Sequence, residues 1–329
     1  MRHAKSNSSD SPAMPVEQQR SETMATLDLQ ARLIAHCTAL YRAREADLLA
    51  GTDREAVHQA RIALRQIRAV LGVFKKGSEA PAKRLLRTEI RWLARALGGV
   101  RDWEVFRFST LSGLPPEVLE PIRRQAFEAA TTARITRARR QLRRVLLSGR
   151  YRKLQALLDA WGRRPARPRS QPRCRDRAFD TRSVAERTDR AMKRRRQQLL
   201  HIGRRLSRAD DERMHDVRLA AKNLRYCNDL LAPSHRHTPA VESDRTLKHL
   251  QEALGAFNDV VVAQRHLRDL AAAARTSKHA PIRSRQLEEH LERLRVEARA
   301  NVMACWKHWR KRRRLQALDA QRAKIAPAD

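Results

Sequence analysis

Two stretches of this sequence set a histidine ahead of a row of cations at helical spacing. In the first, Val57-His58-Gln59-Ala60-Arg61-Ile62-Ala63-Leu64-Arg65-Gln66-Ile67-Arg68, the polar row is His58, Arg61, Arg65 and Arg68. In the second, Met214-His215-Asp216-Val217-Arg218-Leu219-Ala220-Ala221-Lys222-Asn223-Leu224-Arg225, it is His215, Arg218, Lys222 and Arg225. Side chains three and four residues apart stand on one helix face, so each row is a continuous stripe. It spans roughly 15 Å at the α-helical rise. An unmixed positive row repels itself along its length. A solvated face is the plain reading of any one such row, but two matching rows point to an anion seated on them. Arginine grips a phosphate through two parallel N–H groups, and lysine supplies a point charge. Histidine contacts a phosphate oxygen as a neutral donor, or as imidazolium once the phosphate raises its pKa. Metal binding fits poorly, because the stripe companions of each histidine are themselves cations.

The elements that position these rows follow from the apolar residues between them. Val57, Ala60, Leu64, Ile67, Leu71 and Phe74 recur at alternating steps of three and four and form a seam for neighbouring helices, beside the cationic stripe. Met214, Val217, Ala221, Leu224 and Leu231 repeat that seam, interrupted by Asn228. Thr52-Asp53-Arg54-Glu55 fits a capping box at the start of the first helix, with Thr52 bonding the Glu55 amide. A second helix follows in each case. In the first copy Leu86, Ile90, Leu93 and Leu97 lie beside Arg84, Arg87, Arg91 and Arg95. In the second, Leu247, Leu250 and Leu254 lie beside fewer cations, chiefly Arg245 and Lys248. Both copies then carry L-G-x-x-[RN]-D, ending at Asp102 and Asp259. Its favoured reading is a left-handed helix end at Gly98 and Gly255 with the aspartates capping the next helix. An arginine-pinning aspartate is the alternative. The two histidines are 157 residues apart, as are the two aspartates, and one shared offset for two separate motifs identifies an internal repeat.

The totals agree with an anionic partner. The chain has 329 residues, 71 Lys and Arg against 36 Asp and Glu, and a formal charge of +35. With 41% hydrophobic residues it can build a packed interior. Its charge opposes compaction and speeds encounter with a polyanion. Nucleic acid, an anionic membrane, inorganic polyphosphate and acidic protein surfaces are all admissible partners. Aromatic residues make up only 4% and β-branched residues nowhere alternate, so the fold class expected is all-α. Residues 1–24 read as a polar, disordered tail with no apolar signal region, which makes the cytoplasm the expected compartment. No run of 18 apolar residues suggests a transmembrane segment. Cys37, Cys174, Cys227 and Cys305 are scattered and read as reduced thiols. Pro and Arg crowd residues 162–178, which read as a linker. The expected units are therefore 25–161 and 179–318, with a closing tail at 319–329.

The paired motifs resemble the CHAD family, the conserved histidine α-helical domain. The residues that carry the likeness are VHQARIALRQIRAVLGVF with LARALGGVRD, and MHDVRLAAKNLRY with LQEALGAFND. It covers the chain from about residue 25 to about residue 315. The resemblance implies two tandem four-helix bundles related by a pseudo-twofold axis, with a basic surface that binds inorganic polyphosphate. It also implies association with polyphosphate granules, or in some members polyhydroxyalkanoate granules. The phosphate contacts it implies are His58, Arg61, Arg65, Arg68, His215, Arg218, Lys222 and Arg225, joined by Arg91, Arg95 and Lys248 on the second basic helices. Lys222 stands where the first copy has Arg65, and the second copy has fewer cations on its second helix. Relatives are often fused to a triphosphate tunnel metalloenzyme, but its E-x-E-x-K motif is absent from this sequence.

The expected function is thus non-catalytic polyphosphate binding, with no cofactor, no metal and nucleic acid as a non-specific competitor. The alternative is a nucleic-acid-binding protein, whose affinity would share the same salt dependence. Against it, the stripes have few groups that read base edges, and only Tyr226 stands near them as a stacking platform. A phosphohydrolase or polyphosphate kinase ranks last, for the sequence has neither a phosphate-binding P-loop nor D-x-D. The segment from Trp306 to Arg314 suits a membrane interface, but is read first as a helix end docked on the bundle.

Overall fold

The computed structural model describes residues 16–73, 81–163, 184–231, 241–275 and 285–325. Every regular element among them is helical. The α-helices are α1 (Val16–Arg42), α2 (Glu45–Ala50), α3 (Arg54–Val73), α4 (Pro81–Val105), α5 (Pro121–Leu146) and α6 (Gly149–Gly162) in the first half. The second half has α7 (Val184–Ile202), α8 (Asp211–Leu231), α9 (Val241–Arg275) and α10 (Arg285–Ile325). α1 begins inside the segment expected as a tail, because Val16–Arg42 holds no Pro or Gly to stop it. α10 likewise runs past residue 318. Of the expected linker, residues 164–178 lie outside the described residues, as do Phe74 and Cys174.

The apolar seams decide the packing. Val57, Ala60, Leu64, Ile67 and Leu71 of α3 are buried, as are Met214, Val217, Ala221 and Leu224 of α8. Each of the larger side chains, the alanines aside, contributes roughly 1.5–3 kcal/mol on burial. α3 packs on α1 and α4, α8 packs on α7 and α9, and α3 packs directly on α8. One core fills the first half, with Ile34, Leu64, Leu93 and Leu154 among its members. A second core lies almost wholly in the other half, around Val217, Leu250 and Trp309. Trp306 and Trp309 are stacked there with centroids 5.3 Å apart, so the end of α10 docks inward. A third core joins the halves: Phe106, Leu111 and Phe127 meet Leu267, Leu287 and Leu291. The first half adds α2 and α6 to its four long helices. α6 enters the core through Tyr151, Leu154, Leu158 and Trp161, whose spacing is itself amphipathic.

Three local expectations are corrected. Asp53, not Thr52, caps α3: the Glu55 amide donates to Asp53 Oδ1 at 2.8 Å. α4 passes straight through Gly98 and Gly99, and α9 through Gly255. Among the described glycines only Gly51, at the end of α2, has a positive φ, of 72°. The apolar seam continues across both supposed stops, with Leu97, Val100, Leu254 and Phe257 buried. That packing outweighs the cost of about 1 kcal/mol for glycine within a helix. Asp102 and Asp259 are therefore mid-helix residues rather than caps. Beyond Val105 the helix widens into a π-helical turn, Phe106–Leu111, which delivers Phe106 and Leu111 to the third core. Beside it His266 of α9 stacks on Trp103 of α4, with ring centroids 3.7 Å apart.

Candidate anion-binding groove

Because α3 packs against α8, the two cationic stripes face a common space. A groove of about 1030 Å³ lies along this seam. Nine of the eleven site residues expected from sequence line it: His58, Arg61, Arg65, Arg68, Arg91, Arg95, His215, Arg218 and Lys222. Arg225 and Lys248 do not. Arg225 turns to Asp229, 3.6 Å away, and its Nη1 donates to Gln251 at 3.4 Å. Lys248 stands 4.0 Å from Glu252 on the exposed side of α9. A carboxylate one turn further along each helix draws each cation away.

Arg101 and Arg265 also line the groove and were missed in the sequence. Their positions become legible once α4 and α9 are continuous. Arg101 then lies two turns beyond Ala94, and Arg265 two turns beyond Asn258, both of them lining residues. In all, eight arginines, one lysine and two histidines face four carboxylates, among them Asp102 and Asp259.

Crowding of like charge inside a partly dry groove sets the electrostatics. Burial first, then Arg65, lowers the pKa of Arg61 to about 10. Lys222 falls further, to about 7, through burial and then through Arg218 and Arg65. Burial and then Arg101 also lower His58 from its ordinary value. Asp102 opposes the shift at Arg61, and Asp259 does so at Arg218 and Lys222. Two mid-helix aspartates thus offset part of the cationic crowding by their charge. Asp259 itself is raised by burial against the pull of Arg218. The Nε–H of Arg218 is buried with no hydrogen-bond partner. An unpaired buried donor is costly, and an acceptor entering the groove removes that cost.

Backbone shape contributes as well. A Cβ added at Gly98 would stand 2.7 Å from Nη1 of Arg61, so glycine makes room for that guanidinium against α4. At Gly255 nothing lies within 4 Å of the corresponding position. The two histidines also differ: His215 Nδ1 is 3.0 Å from Oδ1 of Asn258, which holds the ring at the groove edge. Among the described residues no group of three His, Cys, Asp or Glu could hold a metal ion. Nor, among them, is any helix long and apolar enough to cross a membrane.

Residues 32–268 match the family of the CHAD domain. Two uncharacterized proteins from separate strains of Mycobacterium tuberculosis are each 30% identical over 227 residues, 68% of this chain. The chain spans 42% of the length of these curated relatives. Among solved structures, the CHAD domain from the plant Ricinus communis superposes with a TM-score of 0.63 at 26% identity, covering 83% of this chain and 85% of that one. A protein of Streptomyces chartreusis called PptA shares the fold, with a TM-score of 0.59 at 17% identity over 89% of this chain and 98% of its own.

Proposed function

The chain belongs to the CHAD domain family, and from that premise we propose that its groove binds inorganic polyphosphate without transforming it. The observation that carries the reading is the meeting of two stripes, 157 residues apart in sequence, on one basic groove. A polyphosphate offers an oxygen anion at every phosphorus. The groove matches it with arginine forks along both walls and with unsatisfied donors such as Arg218 Nε. We read the two halves as copies of one unit related by a pseudo-twofold axis, because α3 and α8 make equivalent pairings on either side of it. Granule association in the cytoplasm follows as a further part of the proposal, since polyphosphate collects there as a bulk phase. Nucleic acid then acts only as a competitor: bases have few stacking faces here, and the groove walls are arginine rather than aromatic.

The test is a competition titration at about 0.15 M salt, where weak surface attraction is already screened. Labelled long-chain polyphosphate is challenged with excess duplex DNA, single-stranded RNA and heparin. Polyphosphate is expected to resist all three. Ready displacement by nucleic acid would mean that the +35 charge acts generically, and the nucleic-acid reading would replace this one.

A further inference from the structure

Lys222 is the one lysine in a groove otherwise built from arginine. It lines the groove together with Arg61 and Arg65 from α3, Arg218 from its own helix and Asp259 from α9, and the charge of each acts on it. Three guanidinium groups against one carboxylate leave a net positive cage around a primary amine. That cage suits a dianionic phosphate, and a phosphate carried on an electrophile would be held beside the amine. We propose that Lys222 is a modification site for acyl phosphates, acylated at Nζ while the phosphate is seated on the surrounding arginines. The inference rests on the groove being a phosphate site, but adds a reaction to it.

The step balances without further reagents. The Nζ lone pair attacks the carbonyl carbon of the mixed anhydride, and the carbon–oxygen bond to phosphate breaks. An amide forms, and the departing phosphate takes the amine proton as hydrogen phosphate. Positioning by the arginines makes the attack effectively intramolecular. They also stabilise the charge that builds on the leaving phosphate. Burial, and then the surrounding arginines, lower the amine pKa to about 7, so a substantial fraction is unprotonated near neutral pH. Ordinary exposed lysines are almost wholly protonated there. Greater amine fraction outweighs the lower nucleophilicity that accompanies a lower pKa. The amide can no longer take up the proton that a bound polyanion favours at this position, so acylation turns polyphosphate binding down.

The experiment treats the full chain with acetyl phosphate at pH 7.5, with and without tripolyphosphate, and follows each lysine by peptide mass spectrometry. Polyphosphate binding is measured on the same sample. Lys222 is expected to be acetylated at least about tenfold faster than the exposed Lys153, Lys193 and Lys307. Tripolyphosphate should suppress labelling at Lys222 and leave the other three unchanged. If polyphosphate binds but Lys222 labels no faster than those lysines, the modification site is overturned and the groove reading survives. If Lys222 labels selectively while polyphosphate neither binds nor protects, the modification site stands and the polyphosphate reading falls.

Discussion

The two walls of the groove begin from the same sequence pattern and end with different chemistry. The wall built by α3 and α4 presents Arg61, Arg65, Arg68, Arg91, Arg95 and Arg101 to the groove. The wall built by α8 and α9 presents Arg218, Lys222 and Arg265, with His215 tied to Asn258. The second wall has lost its other cations to local carboxylates: Arg225 to Asp229, and Lys248 to Glu252. Where the first wall has an arginine fork it carries a lysine that burial, and then its neighbours, bring to a pKa of about 7. A shared sequence pattern therefore preserves where side chains stand more faithfully than what those side chains are free to do. On the proposed function, the first wall would grip the polyanion and the second would tune that grip.

The strongest test of that division replaces Arg61, Arg65 and Arg68 together with Gln. Each lost charged contact costs about 1.5–3 kcal/mol, and each tenfold in affinity is about 1.4 kcal/mol. A loss of at least about 100-fold in polyphosphate affinity is expected, with helicity by circular dichroism unchanged. A loss under tenfold would move the grip away from the first wall.

Lys222 gives the next effect, through pH. A bound polyanion favours the ammonium form, whereas the empty groove releases its proton at about pH 7. Affinity of the native chain should therefore fall about tenfold between pH 6 and pH 8.5 as that proton is lost. Lys222→Arg should flatten the profile across that range, and a slope that persists in the variant would assign it to other groups. Stability moves the opposite way. The folded pKa is depressed, so the unfolded chain holds more protons between pH 7 and the ordinary lysine value of 10.5. The cost of folding around Lys222 is full below pH 7 and is relieved as pH rises above it. Lys222→Met should raise Tm at pH 7 while weakening binding.

What the sequence made legible was periodicity. Apolar steps of three and four placed the seams of α3, α4, α8 and α9, and the same counting placed nine of the groove residues. Two kinds of information were beyond it. Gly98 and Gly255 carry a stop signal in isolation, yet buried residues on both sides hold the helices straight. That misreading hid Arg101 and Arg265, because a helix broken at glycine puts them on another element. The destinations of Arg225 and Lys248 were also hidden. A stripe is fixed by spacing, but whether its cation faces the groove depends on competing carboxylates such as Asp229 and Glu252, whose pull only the folded geometry decides.

The two glycines sharpen the comparison between walls. Alanine in either place gains helix propensity, about 0.5–1 kcal/mol. At Gly255 the new methyl meets nothing within 4 Å, so Gly255→Ala should raise stability by that amount and leave affinity alone. At Gly98 the methyl displaces the guanidinium of Arg61. Gly98→Ala should weaken polyphosphate binding about three- to tenfold, roughly half of one charged contact. Equal affinities in the two variants, by the same titration, would show that Arg61 does not need its place against α4.

The smallest effect is expected at two residues that the family resemblance placed among the phosphate contacts. Arg225 and Lys248 belong to the repeat by position, and a purely positional account gives them the same weight as Arg68 and Arg91. Their charge is instead partly neutralised by Asp229 and Glu252 on the outer face. Exposed i,i+4 pairs are worth only about 0.3–0.5 kcal/mol, so removing them costs the fold little. The double variant Arg225→Gln with Lys248→Gln should change polyphosphate affinity by less than about twofold at about 0.15 M salt. At lower salt a modest loss should emerge, since both charges still add to the long-range field that draws in the polyanion. A loss as large as that of the α3 triple variant would mean that polyphosphate wraps out of the groove across α9. The two walls would then differ in sequence without differing in function.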